Sequence, residues 1–228
     1  HVAEYASWAE ESAGNAAAGH AEFRGPLAAP IISTLVRRIA DGAGGLIERD
    51  ADLLDGFIPE FLESKLSFSF DGIRYTGTID RISRRPADNE IVLIDYKSGS
   101  VPSPKAYRTD EETDIADCQI PMYVFLTERS PESPYRGSEL GHAWFGDIRK
   151  ADYRPIICDK DMFDHGGKRD ILTREEFEPA MESFSRRCGD FAEAVREARF
   201  TRPDDLAWTE CTGCDWRAVC RYPWAVKP

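Results

Sequence analysis

The dipeptide Asp71-Gly72 constrains the fold of this chain more than any other feature of its sequence. Both residues accept the positive backbone dihedral angles that a two-residue hairpin turn requires, and alternating apolar residues flank them on both sides. Such a turn fixes the register of the two strands that it joins. Counting outward from it gives these cross-strand pairs: Phe70 with Ile73, Phe68 with Tyr75, and Leu66 with Gly77.

The same count aligns three acidic residues. Glu63 falls opposite Asp80, and a turn-forming cluster at residues 86–89 then leads to a third strand on which Asp95 opposes Asp80. Directly opposed residues share one face of a sheet, and Lys97, two residues beyond Asp95, joins them there. Because aligned carboxylates repel each other, we expect a bound hard cation at this row, Mg²⁺ or Mn²⁺. The alternative is a solvated polar face.

The apolar run at residues 91–94 ends directly at Asp95, Tyr96 and Lys97. A run that is apolar on both faces indicates a central strand, so these polar residues are expected near a covered edge of the sheet. Carboxylates that hold Mg²⁺ beside a lysine can bind a phosphodiester, activate a water and neutralise charge that develops on phosphorus. The combination therefore indicates phosphodiester hydrolysis.

The order and spacing of motifs across residues 63–123 resemble the PD-(D/E)XK nuclease superfamily, in its RecB-like and AddB-like branch. An acidic residue, Glu63, precedes G-x-x-D-R-I at residues 77–82, followed by I-D-Y-K-S-G at residues 94–99 and by Q-x-x-x-Y at Gln119 and Tyr123. The resemblance implies an α/β fold with a restriction-endonuclease-like core. Its central mixed sheet would start with an antiparallel meander and be flanked by helices.

The resemblance also implies the metal ligands. Asp80 and Asp95 would bind the metal directly, the backbone carbonyl of Tyr96 would be a third ligand, and Glu63 would bind directly or through water. Lys97 would be the catalytic lysine.

Three further residues are assigned by the same resemblance. Gln119 and Tyr123 would position the scissile phosphate or its waters, and their spacing of four places them on one face of a helix. Pro121 between them predicts that Gln119 lies in the first helical turn or that the helix is kinked. The family's early histidine near the metal is matched by His1, at the start of an amphipathic segment.

Three cysteines near the C-terminus, Cys211, Cys214 and Cys220, form a C-x2-C-x5-C pattern. Thiolates at such spacing bind zinc or iron–sulfur centres. The resemblance implies a [4Fe-4S] cluster that closes the domain, but its fourth ligand is not identified, because no cysteine precedes Cys118. A zinc site with three cysteines and a histidine is the alternative. The remaining cysteines are expected to be ordinary residues: Cys118, Cys158 and Cys188.

Composition predicts one soluble domain of 228 residues, cut from a larger protein. We expect N-terminal helices over residues 1–60, broken near Gly25-Pro26 and Gly44, a nuclease core over residues 61–200, and a cysteine-rich staple over residues 201–228. No apolar run reaches membrane-spanning length and no secretory signal is present, so a cytoplasmic, nucleoid-associated prokaryotic protein is expected.

The net charge of the chain indicates whether it needs a partner to bind DNA. The net charge of -12 argues against independent, tight duplex binding, so a helicase domain or partner subunit would supply part of the affinity for DNA. Local basic residues can border a single-strand channel: Arg81, Arg84, Arg85, Lys97, Lys105, Arg108, Lys168 and Arg169.

Further elements follow from the residue pattern. Strands are predicted at residues 142–148 and 153–158, a polar loop over the site at residues 101–117, and a long helix at residues 175–199. The apolar residues of that helix are expected to face the core: Phe177, Met181, Phe184, Phe191, Ala194, Val195 and Ala198.

The function that we expect is a Mg²⁺-dependent DNA nuclease, an exonuclease on single-stranded or unwound ends within a helicase–nuclease repair system. The alternatives are a catalytically silent scaffold of the same fold and a CRISPR-associated adaptation nuclease.

Overall fold

The structure is a computed structural model that describes residues 2–19, 28–109, 114–159, 162 and 170–199. The chain divides into two compact units, His1–Gly189 and Asp190–Pro228, and all five strands belong to the first. Several predicted residues lie outside the described ranges: His1, Lys168, Arg169, Cys211, Cys214 and Cys220.

Four α-helices, one 3₁₀ helix and five strands make up the described fold. The elements are α1 (Val2–Ala18), α2 (Ala28–Leu53), β1 (Ile58–Phe70), β2 (Ile73–Arg85), β3 (Glu90–Lys97), a 3₁₀ helix (Pro104–Tyr107), α3 (Gln119–Arg129), β4 (His142–Asp147), β5 (Asp152–Ile157) and α4 (Arg174–Arg196). The sheet order is β1-β2-β3-β4-β5, with β3 and β4 parallel and all other neighbours antiparallel. The predicted mixed sheet that starts with an antiparallel meander is confirmed.

The hairpin register counted from Asp71-Gly72 is also confirmed. The observed pairs include those predicted: Phe70 with Ile73, Phe68 with Tyr75, and Leu66 with Gly77. The second connection is formed by residues 86–89, as predicted, with Arg85 paired to Glu90 on its other side. β1 begins earlier than predicted, at Ile58.

The central strand β3 is buried on both faces, which confirms its prediction from the apolar run. Leu93 belongs to a core cluster that includes residues of α3 and α4, such as Val124 and Phe177. Ile94 belongs to a second cluster that includes Leu46 of α2. Because side chains alternate along a strand, the two clusters lie on opposite faces of the sheet. Helix α2 therefore covers one face and α3 covers the other.

Helix α2 runs without interruption through its glycines, so the predicted break near Gly44 is wrong. Two of these glycines permit close packing against the β4–β5 connection. A Cβ atom at Gly42 would lie 1.9 Å from the carbonyl oxygen of Ile148, and one at Gly45 would lie 2.4 Å from Cβ of Ala151. The helix tolerates the low helical propensity of glycine because larger residues at these positions would push it off the sheet.

Paired alanine substitutions in α2 should therefore have opposite effects on stability. We expect Gly42→Ala to destabilise the protein by roughly 2 kcal/mol, because the added methyl group collides with backbone rather than with a movable side chain. Gly44→Ala should stabilise it by about 0.5–1 kcal/mol, because nothing lies within 4 Å of the new methyl group. Urea denaturation of both variants measures the difference. Equal shifts would contradict the proposed packing.

The segment predicted as a polar loop, residues 101–117, is more structured than expected. It contains the 3₁₀ helix Pro104–Tyr107, and both Tyr107 and Ile115 are buried in the core. On α4, Phe177, Met181 and Phe184 are buried as predicted, but Phe191 is exposed, and the helix ends at Arg196, before the exposed Ala198. Periodicity identifies the apolar face of a helix but not how far along the helix that face is covered.

The prediction that Arg81 borders a nucleic-acid channel is wrong, because Arg81 is buried, and for Arg84 and Arg85 it stays a prediction. Arg81 is 6% exposed and forms an ion pair with Asp50. Arg84 pairs with Glu60, and Arg85 with Asp88 and Glu90. The charge of each arginine is therefore paired with an acidic side chain of the same protein.

Among the helices that the structure describes, none combines the length and apolar character that a bilayer crossing requires.

Candidate active site

Asp95 and Lys97 lie together at the C-terminal end of β3. The Asp95 side chain is almost fully buried, and its Oδ2 atom lies 2.7 Å from Nζ of Lys97. The lysine ammonium also lies over the ring of Phe145 on β4, 5.5 Å from its centroid. The amine is thereby held next to the carboxylate, and a quarter of the Lys97 side chain remains exposed.

Asp80 approaches Asp95 from the neighbouring strand. The paired residues of β2 and β3 end with Arg81 and Ile94, and Asp80 and Asp95 occupy the next position. Oδ2 of Asp80 accepts a hydrogen bond of 2.7 Å from the backbone N–H of Tyr96. The predicted alignment of these two acids is therefore present. The backbone N–H of Tyr96, the residue whose carbonyl is predicted to be a metal ligand, is bonded to one of them.

Helix α3 adds two side chains to this group. Nε2 of Gln119 donates hydrogen bonds to Oδ1 of Asp95, at 2.8 Å, and to the hydroxyl oxygen of Tyr123, at 3.0 Å. The helix begins at Gln119, so Pro121 sits in the first turn, where a missing N–H costs nothing. This is one of the two arrangements that the proline predicted.

The start of α3 is fixed by a pair of residues that the sequence analysis missed. Oδ1 of Asp117 accepts hydrogen bonds from the backbone N–H of Gln119 and from the hydroxyl of Tyr107, both at 2.8 Å. An aspartate just before a helix is a recognisable start signal and could have identified Asp117. No sequence pattern distinguishes Tyr107, which reaches Asp117 only through the tertiary fold.

The glycine of the G-x-x-D-R-I motif has a packing role. A Cβ atom at Gly77 would lie 2.8 Å from Cδ1 of Leu126 and 3.4 Å from Cε1 of Tyr123. A larger residue would displace α3 and with it the two side chains that surround Asp95. The close approach of β2 to α3 therefore depends on glycine at this position.

Behind the two acids, a buried polar network joins α2 to the sheet. Nη1 of Arg81 donates to Oδ2 of Asp50, at 2.5 Å, and to the hydroxyl of Tyr96, at 3.1 Å. The Tyr153 hydroxyl donates to the other Asp50 oxygen, at 2.5 Å. Arg81 and Tyr96 directly follow Asp80 and Asp95 in sequence, so the network fixes the backbone beside both acids. Sequence analysis did not identify Asp50 or Tyr153.

Opposing effects act on the pKa of Asp95, and the net result is a raised pKa. Burial raises the pKa of Asp95, the nearby Lys97 ammonium lowers it, and the charge of Asp80 raises it further. The partner of Asp95 Oδ2 is the Lys97 ammonium at 2.7 Å, a charge-assisted contact. Burial also raises the pKa of Tyr123. A buried carboxylate beside a second carboxylate fits a hard cation.

Glu63 is not brought into this group. Its predicted position opposite Asp80 is kept, because Leu62 pairs with Arg81 and Ser64 with Ile79, but its backbone has a φ of 50° and its side chain is exposed. Within the described ranges, no three His, Cys, Asp or Glu side chains converge as a metal site. Two carboxylates and a backbone carbonyl are compatible with Mg²⁺, which usually keeps several waters. Cys118, Cys158 and Cys188 form no disulfide within the described residues, and Cys158 and Cys188 are buried.

Comparison with protein-family models identifies a family for this chain. The family model described as the PD-(D/E)XK nuclease superfamily matches residues 2–221 of the chain. A search of curated proteins finds no significant match.

Proposed function

Because this chain belongs to the PD-(D/E)XK nuclease superfamily, we propose that it is a Mg²⁺-dependent DNA nuclease. The observation that carries the proposal is the convergence of Asp80, Asp95 and Lys97 at the end of the central strand. Gln119 and Tyr123 complete the group on one side. A catalytically silent scaffold would have no need to keep two neighbouring carboxylates and an amine at this position.

Each residue of this group has its own role in the proposed reaction. Asp80, Asp95 and the Tyr96 carbonyl would hold the metal ion, with Mn²⁺ as a substitute for Mg²⁺. When bound, such an ion lowers the pKa of a coordinated water and neutralises charge that develops on the phosphate. Lys97 orients the attacking water and stabilises the phosphate charge. Gln119 and Tyr123 present polar groups that position the scissile phosphate, and Glu63 could contribute only through water.

Substitutions at two lysines test the catalytic role of Lys97. Lys97→Met should lower Mg²⁺-dependent cleavage of a labelled single-stranded oligonucleotide by about 100-fold, because a positive group beside the reacting phosphate is lost. Lys65→Met, at an exposed position on β1, should leave cleavage unchanged. EDTA should abolish cleavage in both. Equal activity of the two variants would refute the assignment of Lys97.

The biological setting that we propose is end processing within a helicase–nuclease system, with exonuclease action on single-stranded or unwound DNA. The net charge of -12 supports a partner that supplies DNA affinity. Digestion of end-labelled and circular single strands tests the mode of cutting, because only an endonuclease opens the circle. Cleavage of protospacer-like DNA ends, rather than processive digestion, would favour the adaptation-nuclease alternative.

We also propose that Cys211, Cys214 and Cys220 bind a [4Fe-4S] cluster, with a fourth ligand still to be identified. The support is the C-x2-C-x5-C spacing. Protein purified without oxygen should show a broad absorption band near ~400 nm that the triple serine variant lacks. Stoichiometric zinc without that band would replace the cluster with a structural zinc site.

A further inference from the structure

A cleft lies on the side of the sheet that helix α2 covers, beside the end of β3. Its volume is about 670 Å³, and it is bordered by α2, by Ser98 and by the β4–β5 connection. Ser98 directly follows Lys97, and the N–H of Ile148, in the cleft wall, donates a 3.0 Å hydrogen bond to the carbonyl oxygen of Lys97. The cleft therefore borders the backbone that follows Lys97, while the side chains of Asp95 and Lys97 lie on the face of the sheet that α3 covers.

The walls of the cleft carry positive charge on an otherwise acidic protein. Arg38 of α2 and the neighbouring pair Arg149 and Lys150 line it, opposed by Asp41. Arg149 and Lys150 lie 3.9 and 3.8 Å from Asp147, distances of weak ion pairs, and both side chains remain about half exposed or more. With a net charge of -12 for the chain, this grouping of cations matches a polyanion.

The guanidinium of Arg149 also donates to the carbonyl oxygen of Gly99. It thus ties the segment that follows Lys97 to the cleft wall. A phosphate bound by Arg149 would be fixed relative to the end of β3, and hence relative to Asp95 and Lys97.

Apolar side chains in the same cleft distinguish between single-stranded and duplex DNA. Leu35 and Ile39 line it and are 42% and 44% exposed. Duplex DNA presents phosphates and groove edges, because its bases are stacked inside. Unpaired bases present flat apolar faces that pack on such side chains while cations contact the backbone.

We propose that this cleft binds the single strand of DNA next to the scissile phosphate. Arg38, Arg149 and Lys150 contact its phosphates, and Leu35 and Ile39 contact its bases. The inference rests on the proposed nuclease function, which it extends by naming the form of the substrate and its path to Lys97. An acidic protein segment is the other polyanion that the charges could accept, and the base contacts favour DNA.

Binding is tested without cleavage, on an Asp95→Asn background in Mg²⁺. Fluorescence anisotropy with an oligothymidine of about 16 nucleotides should show that Arg38→Gln with Lys150→Gln raises Kd about 10-fold. The slope of log Kd against log salt should fall by about 1.4, because two phosphate contacts are lost. Arg37→Gln with Lys65→Gln removes the same charge from exposed positions outside the cleft and should change Kd less than about 2-fold. Equal weakening by both pairs overturns the proposal.

A second pair of variants tests the base contacts. Leu35→Ser with Ile39→Ser should weaken binding of the oligothymidine several-fold and leave the weaker binding of a duplex of equal length unchanged. Equal losses for the two DNA forms would exclude a single-strand cleft. Failure of the nuclease assignment is a separate outcome: the native chain would then bind single strands through the cleft and yet cleave nothing in Mg²⁺.

Discussion

Asp95→Asn is expected to abolish cleavage and, in the absence of metal, to stabilise the protein. The amide cannot supply the negative oxygen that a hard cation requires, so Mg²⁺-dependent cleavage should fall by at least about 100-fold. Stability should change in the opposite direction. Burial and Asp80 raise the pKa of Asp95, so its ionised form is disfavoured in the folded chain, and a neutral side chain of the same shape removes that penalty.

Two measurements check this prediction together. In EDTA, the native protein should lose stability as the pH rises through the elevated pKa of Asp95, and Asp95→Asn should lack that loss. Calorimetric titration with Mn²⁺ should show weaker binding to the variant than to the native chain. Asp55→Asn, at an exposed position after α2, is the matched control and should leave cleavage, metal binding and stability unchanged. A variant that keeps native activity would show that Asp95 is not a metal ligand.

Asp50→Ala is expected to have the largest effect on folding, at about 3 kcal/mol of lost stability. Its carboxylate accepts from both Arg81 and Tyr153, and the Arg81 side chain is only 8% exposed. Removing one partner of a buried ion pair leaves the other charge uncompensated, which typically costs about 3–5 kcal/mol. We expect a loss at the lower end of this range, because a quarter of the Asp50 side chain is exposed and water can partly replace its carboxylate as a partner of Arg81.

Urea denaturation of three variants tests the origin of this effect. Asp52→Ala, two residues along the same helix and exposed, should change stability by less than about 0.5 kcal/mol. Asp50→Ala combined with Arg81→Met should recover part of the loss, because the unpaired charge is removed. No recovery in the double variant would mean that Asp50 acts through packing rather than through the charge of Arg81.

Local rules in the sequence determined the sheet register around the acids. Asp71-Gly72 sets the turn, and the pairing counted from it holds from Phe70 with Ile73 to Leu66 with Gly77. The same register continues on both sides of Glu63, with Ser64 opposite Ile79 and Leu62 opposite Arg81. Glu63 itself has a φ of 50° and an exposed side chain, which leaves the third acid outside the described cluster. A local irregularity of this kind leaves no mark in an alternating pattern, because the residue types on either side stay the same.

What the sequence by itself determined is the set of residues whose relative positions depend on short-range geometry. The apolar run and the turns place Asp80, Asp95 and Lys97 together, and helical spacing places Gln119 beside Tyr123. Only the tertiary structure decided which distant elements support them. Asp50 meets Arg81 across 31 residues, because the glycines of α2 let that helix approach the sheet. Such contacts depend on how whole elements pack, and packing is set by the shapes of both surfaces rather than by the pattern within either.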